Sequence, residues 1–64
     1  MKYLKQYIKE KLKIEILGKL ETKEIISDEE KLVGVEIWID NYYFGLNIWY
    51  VDYAIWLESK IKLL

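Results

Sequence analysis

Ser27, Ser59 and Thr22 are the nucleophile candidates of this 64-residue chain, and the chain has no His to activate any of them. Cys is also absent, which removes thiol nucleophiles, thiolate metal sites and any disulfide framework. Without imidazole the usual general base near neutral pH and most zinc and iron sites are lost as well. Carboxylates remain. Glu36 and Asp52 offer a pair for acid–base work, but such a pair needs a walled substrate cleft, and a chain this short has little left over once it has built a core. Asp28, Glu29 and Glu30 cluster in one stretch, yet they lack the alternating ligand spacing of a calcium loop and read as a solvated acidic turn. No catalytic set, metal or cofactor is expected.

Binding chemistry is better represented. Residues 1–13 carry five Lys against Glu10, a local balance of +4 in a chain whose formal charge is −1. Lys2, Lys5, Lys9 and Lys13 recur at a spacing that could follow phosphates, with surface rings stacking on bases. Against a nucleic-acid role stand the absence of Arg, the main base-reading side chain, and the slight negative net charge. The same basic segment could lie on an anionic membrane, but its short apolar side serves equally for packing. No segment approaches the length of a spanning helix, since the longest uncharged run is the eleven residues Asn41–Val51. Nor does the N-terminus hold an uninterrupted signal-peptide core. A soluble, cytoplasmic protein is expected.

The aromatic content points elsewhere. Three Trp, six Tyr and one Phe make ten rings, eight of them between Trp38 and Trp56. A domain of about 60 residues hides only about 60% of its unfolded surface, so some rings must reach water. Clustered exposed rings mark interfaces; the alternative is that Tyr hydroxyls and Trp edges sit at the core boundary. From Leu32 to Ser59 there is no Lys, only Glu36, Asp40, Asp52 and Glu58. That acidic setting would suit a partner with a basic surface.

These residues need elements to position them. Tyr3, Leu4, Tyr7, Ile8 and Leu12 fall at helical spacing, with Lys2, Lys5 and Lys9 opposite. From Leu12 the period changes to two, so Leu12, Ile14 and Ile16 predict a first strand, closed by a hairpin turn at Gly18-Lys19. Leu20–Ile26 reads as a weaker strand, Ser27–Glu30 as a loop whose Ser-x-x-Glu spacing could cap one helical turn. Val33, Val35, Ile37 and Ile39 alternate with polar and aromatic residues, the strongest strand signal in the chain. Asp40-Asn41 are turn formers, and Tyr42–Tyr50 completes a second hairpin. A last helix either begins at an Asp52 cap or starts near Asn47. Its apolar stripe is Ala54, Leu57, Ile61 and Leu64, with Tyr53, Trp56 and Lys60 alongside.

The expected fold is a single α+β domain over 1–64: an antiparallel sheet of about four strands, with an N-terminal and a C-terminal helix on one face. Strand parity then puts Trp38 and Trp49 on the opposite, open face, side by side. Trp38, Trp49, Trp56, Tyr43 and Tyr53 are the expected anchors, with Glu36, Asp40 and Asp52 as an acidic rim. The same face could close a homodimer by sheet packing or edge pairing. The functional expectation is a non-enzymatic protein-binding module that occludes or recruits its partner. Small Cys-free inhibitors encoded by phages and mobile elements, anti-CRISPR and other anti-defence proteins among them, share this size and composition. The alternative expectation is a nucleic-acid-binding regulator acting through the Lys-rich first helix.

Overall fold

A computed structural model describes residues 1–62 of the chain. Helix α1 spans Leu4–Leu12, and Leu4, Tyr7 and Ile8 form its buried stripe at i, i+3 and i+4. It ends where Lys13 enters the left-handed region (φ 59°) and returns its N–H to the Ile8 carbonyl, an αL stop. Lys9 and Lys11 sit in the last turn, where cations complement the helix dipole.

The segment after α1 departs from expectation. Ile14 packs against the core and Ile16 is buried in it, while Glu15 and Leu17 face water, so the alternation is real. No strand forms there, because the chain reverses at Lys13 and runs back along α1, where no strand lies beside it to complete a ladder. Gly18 makes no hairpin turn either; Gly45 is the one glycine with positive φ. What Gly18 supplies is room, since a Cβ there would lie 2.4 Å from an Asp40 carboxylate oxygen. The sheet therefore has three strands where about four were expected.

Strands β1 (Leu20–Ile26), β2 (Leu32–Ile39) and β3 (Tyr42–Trp49) pair antiparallel in the order β1-β2-β3. Ser27–Lys31 closes the first hairpin: the Glu30 N–H donates to the Ser27 carbonyl at 2.9 Å and the Lys31 N–H to Ser27 Oγ at 3.2 Å. Asp40 and Asn41 close the second with φ of 51° and 71°. Positive φ at both central residues is the two-residue turn whose twist suits a hairpin. Helix α2 (Tyr50–Lys62) follows β3 without a loop. Asp52 is thus in its first turn instead of capping it, and the start lies between the two expected positions. Ile48 and Trp49 have to stay extended to pair with Val35 and Gly34, which delays the helix to Tyr50.

The two helices and the segment between α1 and β1 form one layer over β2 and β3. Val35, Ile37 and Ile48 point into that layer and meet Ile8, Tyr7, Tyr53 and Trp56. Ile8 and Ile37 are completely enclosed, each worth about 1.5–3 kcal/mol of burial. The buried side of α2 is the Tyr53–Trp56 stripe, while Ala54 and Ile61 face solvent and Leu57 is half-buried. That rotates the helix away from the expected Ala54–Leu57–Ile61 stripe, and Leu64, its expected last member, lies outside the described residues. The rotation follows from Tyr7, which stands edge-on to both rings at 5.6 Å from Tyr53 and 5.4 Å from Trp56. Strand β1 projects beyond the helical layer, leaving Thr22 and Glu24 exposed on that side.

Candidate functional site

The register defines the face that the helices leave bare. Glu21 pairs with Trp38, Lys23 with Glu36 and Ile25 with Gly34. On the other side Trp38 pairs with Tyr43, Glu36 with Asn47 and Gly34 with Trp49. Because side chains alternate along a strand, these nine residues share the face opposite the core. Among the described residues no element packs over it, and the molecule is a slab with Cα extents of 35 × 34 × 16 Å.

Tyr43 reaches this face through an irregularity. Between Ile37 and Trp38 the register jumps, so that Leu46 and Tyr43 sit opposite consecutive β2 residues and Phe44-Gly45 bulge out. Gly45 takes φ 85° there, a conformation that a side chain would strain. Two extra residues preserve parity, so Tyr43 remains on the open face and its ring lies 5.9 Å from that of Trp38.

One end of the face is an ordered cluster around Trp38. Lys23 places its ammonium 3.5 Å from the Trp38 ring centre, a cation–π contact worth about 0.5–1 kcal/mol at such a site. The indole N–H donates to Glu36 Oε1 at 3.2 Å, and the Tyr43 hydroxyl donates to Asn47 Oδ1 at 2.7 Å. Trp49 occupies the other end. A Cβ on Gly34 would stand 2.9 Å from its ring and 2.5 Å from the Ile48 carbonyl oxygen, so the bare glycine lets the indole lie close across β2. Trp49 is 43% exposed and Tyr43 45%.

The eight residues singled out from the sequence separate into four places. Trp38, Trp49, Tyr43 and Glu36 share the open face. Trp38 and Trp49 are not side by side, however: their partners in the register put them four β2 positions apart, about 13 Å along the strand. Trp56 and Tyr53 are core residues, each 7% exposed, which corrects their assignment as surface anchors. Asp40 serves the fold: its Oδ1 accepts the Lys19 N–H at 2.9 Å, tying the start of β1 to the β2–β3 turn. Asp52 lies in the helical layer beside Tyr7, whose hydroxyl pKa is pushed up by burial and then by the Asp52 charge.

The face is also less acidic than the aromatic half of the sequence suggested. Lys23 comes in from β1 to stand between Glu21 and Glu36. Sequence reasoning missed Glu21, Lys23, Ile25, Gly34 and Asn47. Counting parity across the Ser27–Lys31 turn would have set Lys23 opposite Val35. A one-residue register shift between Ile25 and Ile26 moves it opposite Glu36, and neither that shift nor the bulge that aligns Tyr43 left a signal in the sequence.

A second polar cluster joins the helices. Glu10 accepts Trp56 Nε1–H at 3.2 Å, Gln6 Nε2–H at 3.2 Å and a Lys60 ammonium contact at 2.7 Å. The Lys60 bond first, then the Gln6 bond, holds the Glu10 carboxyl below the usual carboxylate range. The Tyr53 hydroxyl meanwhile accepts the Tyr3 N–H at 3.0 Å. These contacts stitch α1 to α2 and explain the cluster without a ligand. Among the described residues no group of three His, Cys, Asp or Glu is placed to hold a metal ion, and no helix is long and apolar enough to cross a membrane.

The fold and this face together define a small two-layer α+β domain with a three-stranded antiparallel sheet and one aromatic face left bare. No family model matches the chain, and no curated protein or solved structure is significantly similar to it.

Proposed function

We propose that the chain is a non-enzymatic protein-binding module whose open sheet face, carrying Trp38, Tyr43 and Trp49, docks onto another protein. The supporting observation is the ordering of that face. Trp38 is held by Lys23, Glu36 and Tyr43, so its rotamer is set before a partner arrives and little side-chain entropy remains to be lost. Trp and Tyr are the side chains that most often anchor interfaces. The partner brings apolar or planar groups to the rings and a basic complement to Glu21 and Glu36, which outnumber Lys23. A 64-residue cytoplasmic inhibitor of the phage or mobile-element kind, anti-CRISPR or otherwise anti-defence, is the role this scale suits, with homodimer formation as part of the reading.

The test is site-directed photo-cross-linking in extract of the source cell, with the photoreactive group at Tyr43 and, as control, at Ala54 on the exposed side of α2. The reading expects one protein captured from position 43 and not from 54, with capture lost in Trp49→Ala. Equal capture from both positions would refute it.

One observation favours a second reading. Lys2, Lys5, Lys9, Lys11 and Lys13 are all exposed, and none joins an ion pair among the described residues. Such a surface could engage nucleic-acid phosphates. Lys5→Glu with Lys9→Glu should then abolish binding to a duplex probe, and unchanged binding would end that alternative.

A further inference from the structure

We infer that two copies of the chain pair antiparallel through the free edges of β1, with the two-fold axis at Thr22, forming one continuous six-stranded sheet. This inference rests on the homodimer part of the reading above, and its test separates the two.

The available edge is β1. Strand β3 is interrupted by the Phe44-Gly45 bulge and passes straight into α2, whereas β1 is regular from Leu20 to Ile25. Bulges disrupt strand pairing, and a regular edge offers it. Residues 21–24 are exposed, and β1 extends past the helical layer, so among the described residues nothing shields them.

Which groups the edge presents follows from one contact. The Asp40 N–H donates to the Lys19 carbonyl at 3.0 Å, and the Lys19 N–H donates back to the Asp40 side chain. Residue 19 therefore turns both polar backbone groups toward β2. Alternation makes Glu21, Lys23 and Ile25 do the same, while Leu20, Thr22 and Glu24 direct N–H and C=O outward.

Overlap and charge together select the register. An axis at Leu20 would also set Lys19 against Glu21, but it leaves most of β1 unpaired, whereas an axis at Thr22 pairs Leu20 through Glu24 within the strand. With the axis at Thr22, Thr22 meets Thr22, Leu20 meets Glu24, and Glu21 meets Lys23 twice. All outward residues fall opposite outward residues, and both cross-copy charge pairs are attractive. Moving the axis one residue forward to Lys23 sets Lys against Lys, and moving it back to Glu21 sets Glu against Glu. Glu21 now pairs with Lys19 in an exposed contact of 3.3 Å, which contributes little and is readily exchanged. The same register brings Gly18 opposite Ile26, so that Leu17, 88% exposed, approaches the 52%-exposed Ile26 of the second copy. Small single-core domains commonly need an added device such as oligomerisation, and this edge supplies one.

Sedimentation equilibrium of the full chain, from micromolar to millimolar, tests the idea. The wild type should dimerise. Thr22→Pro should be monomeric with its circular dichroism unchanged, because the N–H it removes faces outward and the β1–β2 ladder does not use it. Lys23→Glu should weaken association about tenfold, and adding Glu21→Lys should restore it. Thr22→Cys, which adds the sole cysteine, should form an interchain disulfide on air oxidation, since facing residues of a hydrogen-bonded pair lie about 5.5 Å apart. Glu24→Cys should not. A wild type that stays monomeric overturns both this inference and the homodimer reading. A dimer that survives Thr22→Pro, or that fails to cross-link through Thr22→Cys, overturns the β1 edge while leaving the dimer standing.

Discussion

Replacing Trp56 and Trp49 separately by Ala distinguishes a core ring from a surface ring in the same short stretch of chain. Trp56 is 7% exposed and packs against Tyr7, edge-on, and Tyr53, tilted, with ring centres 5.4 and 5.9 Å away. A large aromatic hides up to about 250 Å², so at about 25 cal/mol per Å² its burial is worth up to roughly 6 kcal/mol before discounts. Subtracting the Ala share and the residual burial of an unfolded chain leaves about 3–4 kcal/mol, within the range seen for Trp→Ala in cores. The variant also loses the hydrogen bond from Trp56 Nε1–H to Glu10. Total stability at about 0.05–0.15 kcal/mol per residue is only about 3–10 kcal/mol for a chain of this length. Trp56→Ala should therefore be largely unfolded or nearly so.

Trp49, at 43% exposure, should lose about 1–2 kcal/mol by the same reckoning and keep its fold. Urea titration followed by far-ultraviolet circular dichroism measures both. A Trp56→Ala variant within about 1 kcal/mol of wild type, or a Trp49→Ala variant that unfolds, would refute the division between core and face.

Gly34→Ala should destabilise by about 1–3 kcal/mol because its Cβ meets the Ile48 carbonyl and the Trp49 ring, and near-ultraviolet circular dichroism should report the displaced indole. Gly45→Ala should cost about 1 kcal/mol for a different reason: the space is open but φ is 85°, so D-Ala at that position should be tolerated where L-Ala is not. Asp40→Ala should cost about 1 kcal/mol by leaving the Lys19 N–H without its carboxylate, and faster hydrogen exchange at Lys19 would show it; unchanged exchange would count against the tie. Glu10 has a folded pKa below its unfolded value, so its contribution is present above the ordinary carboxylate range and is lost as pH falls through the depressed folded pKa. Thermal melts across the acid range should show Glu10→Gln with a flatter acid limb than wild type, and an identical limb would remove Glu10 from the account.

Much of the scaffold can be read along the chain because its causes are local. The Val33–Ile39 alternation and the Asp40-Asn41 pair define the β2–β3 hairpin by side-chain period and by tolerance of positive φ. Leu4, Tyr7 and Ile8 define α1 by their spacing. The outward parity of Trp38 and Trp49 also follows from the period of two. What failed was of another kind. Ile14 and Ile16 alternate because one side of the segment faces the core, but a strand also needs a neighbour, and α1 occupies that side. The phase of α2 was ambiguous between two adjacent stripes until Tyr7, distant in sequence, claimed Tyr53 and Trp56 for the core.

The candidate site shows the same division. Residue types and strand period alone determined that aromatic side chains would stand on a face opposite the Val35–Ile37–Ile39 row. Only the tertiary structure decided which of them form a cluster. The Phe44-Gly45 bulge sets Tyr43 against Trp38, the β1 register delivers Lys23 into an otherwise acidic surface, and α1 withdraws Trp56. Periodicity fixes the direction in which a side chain leaves the backbone, whereas its neighbours depend on the register and packing of segments far apart in the chain.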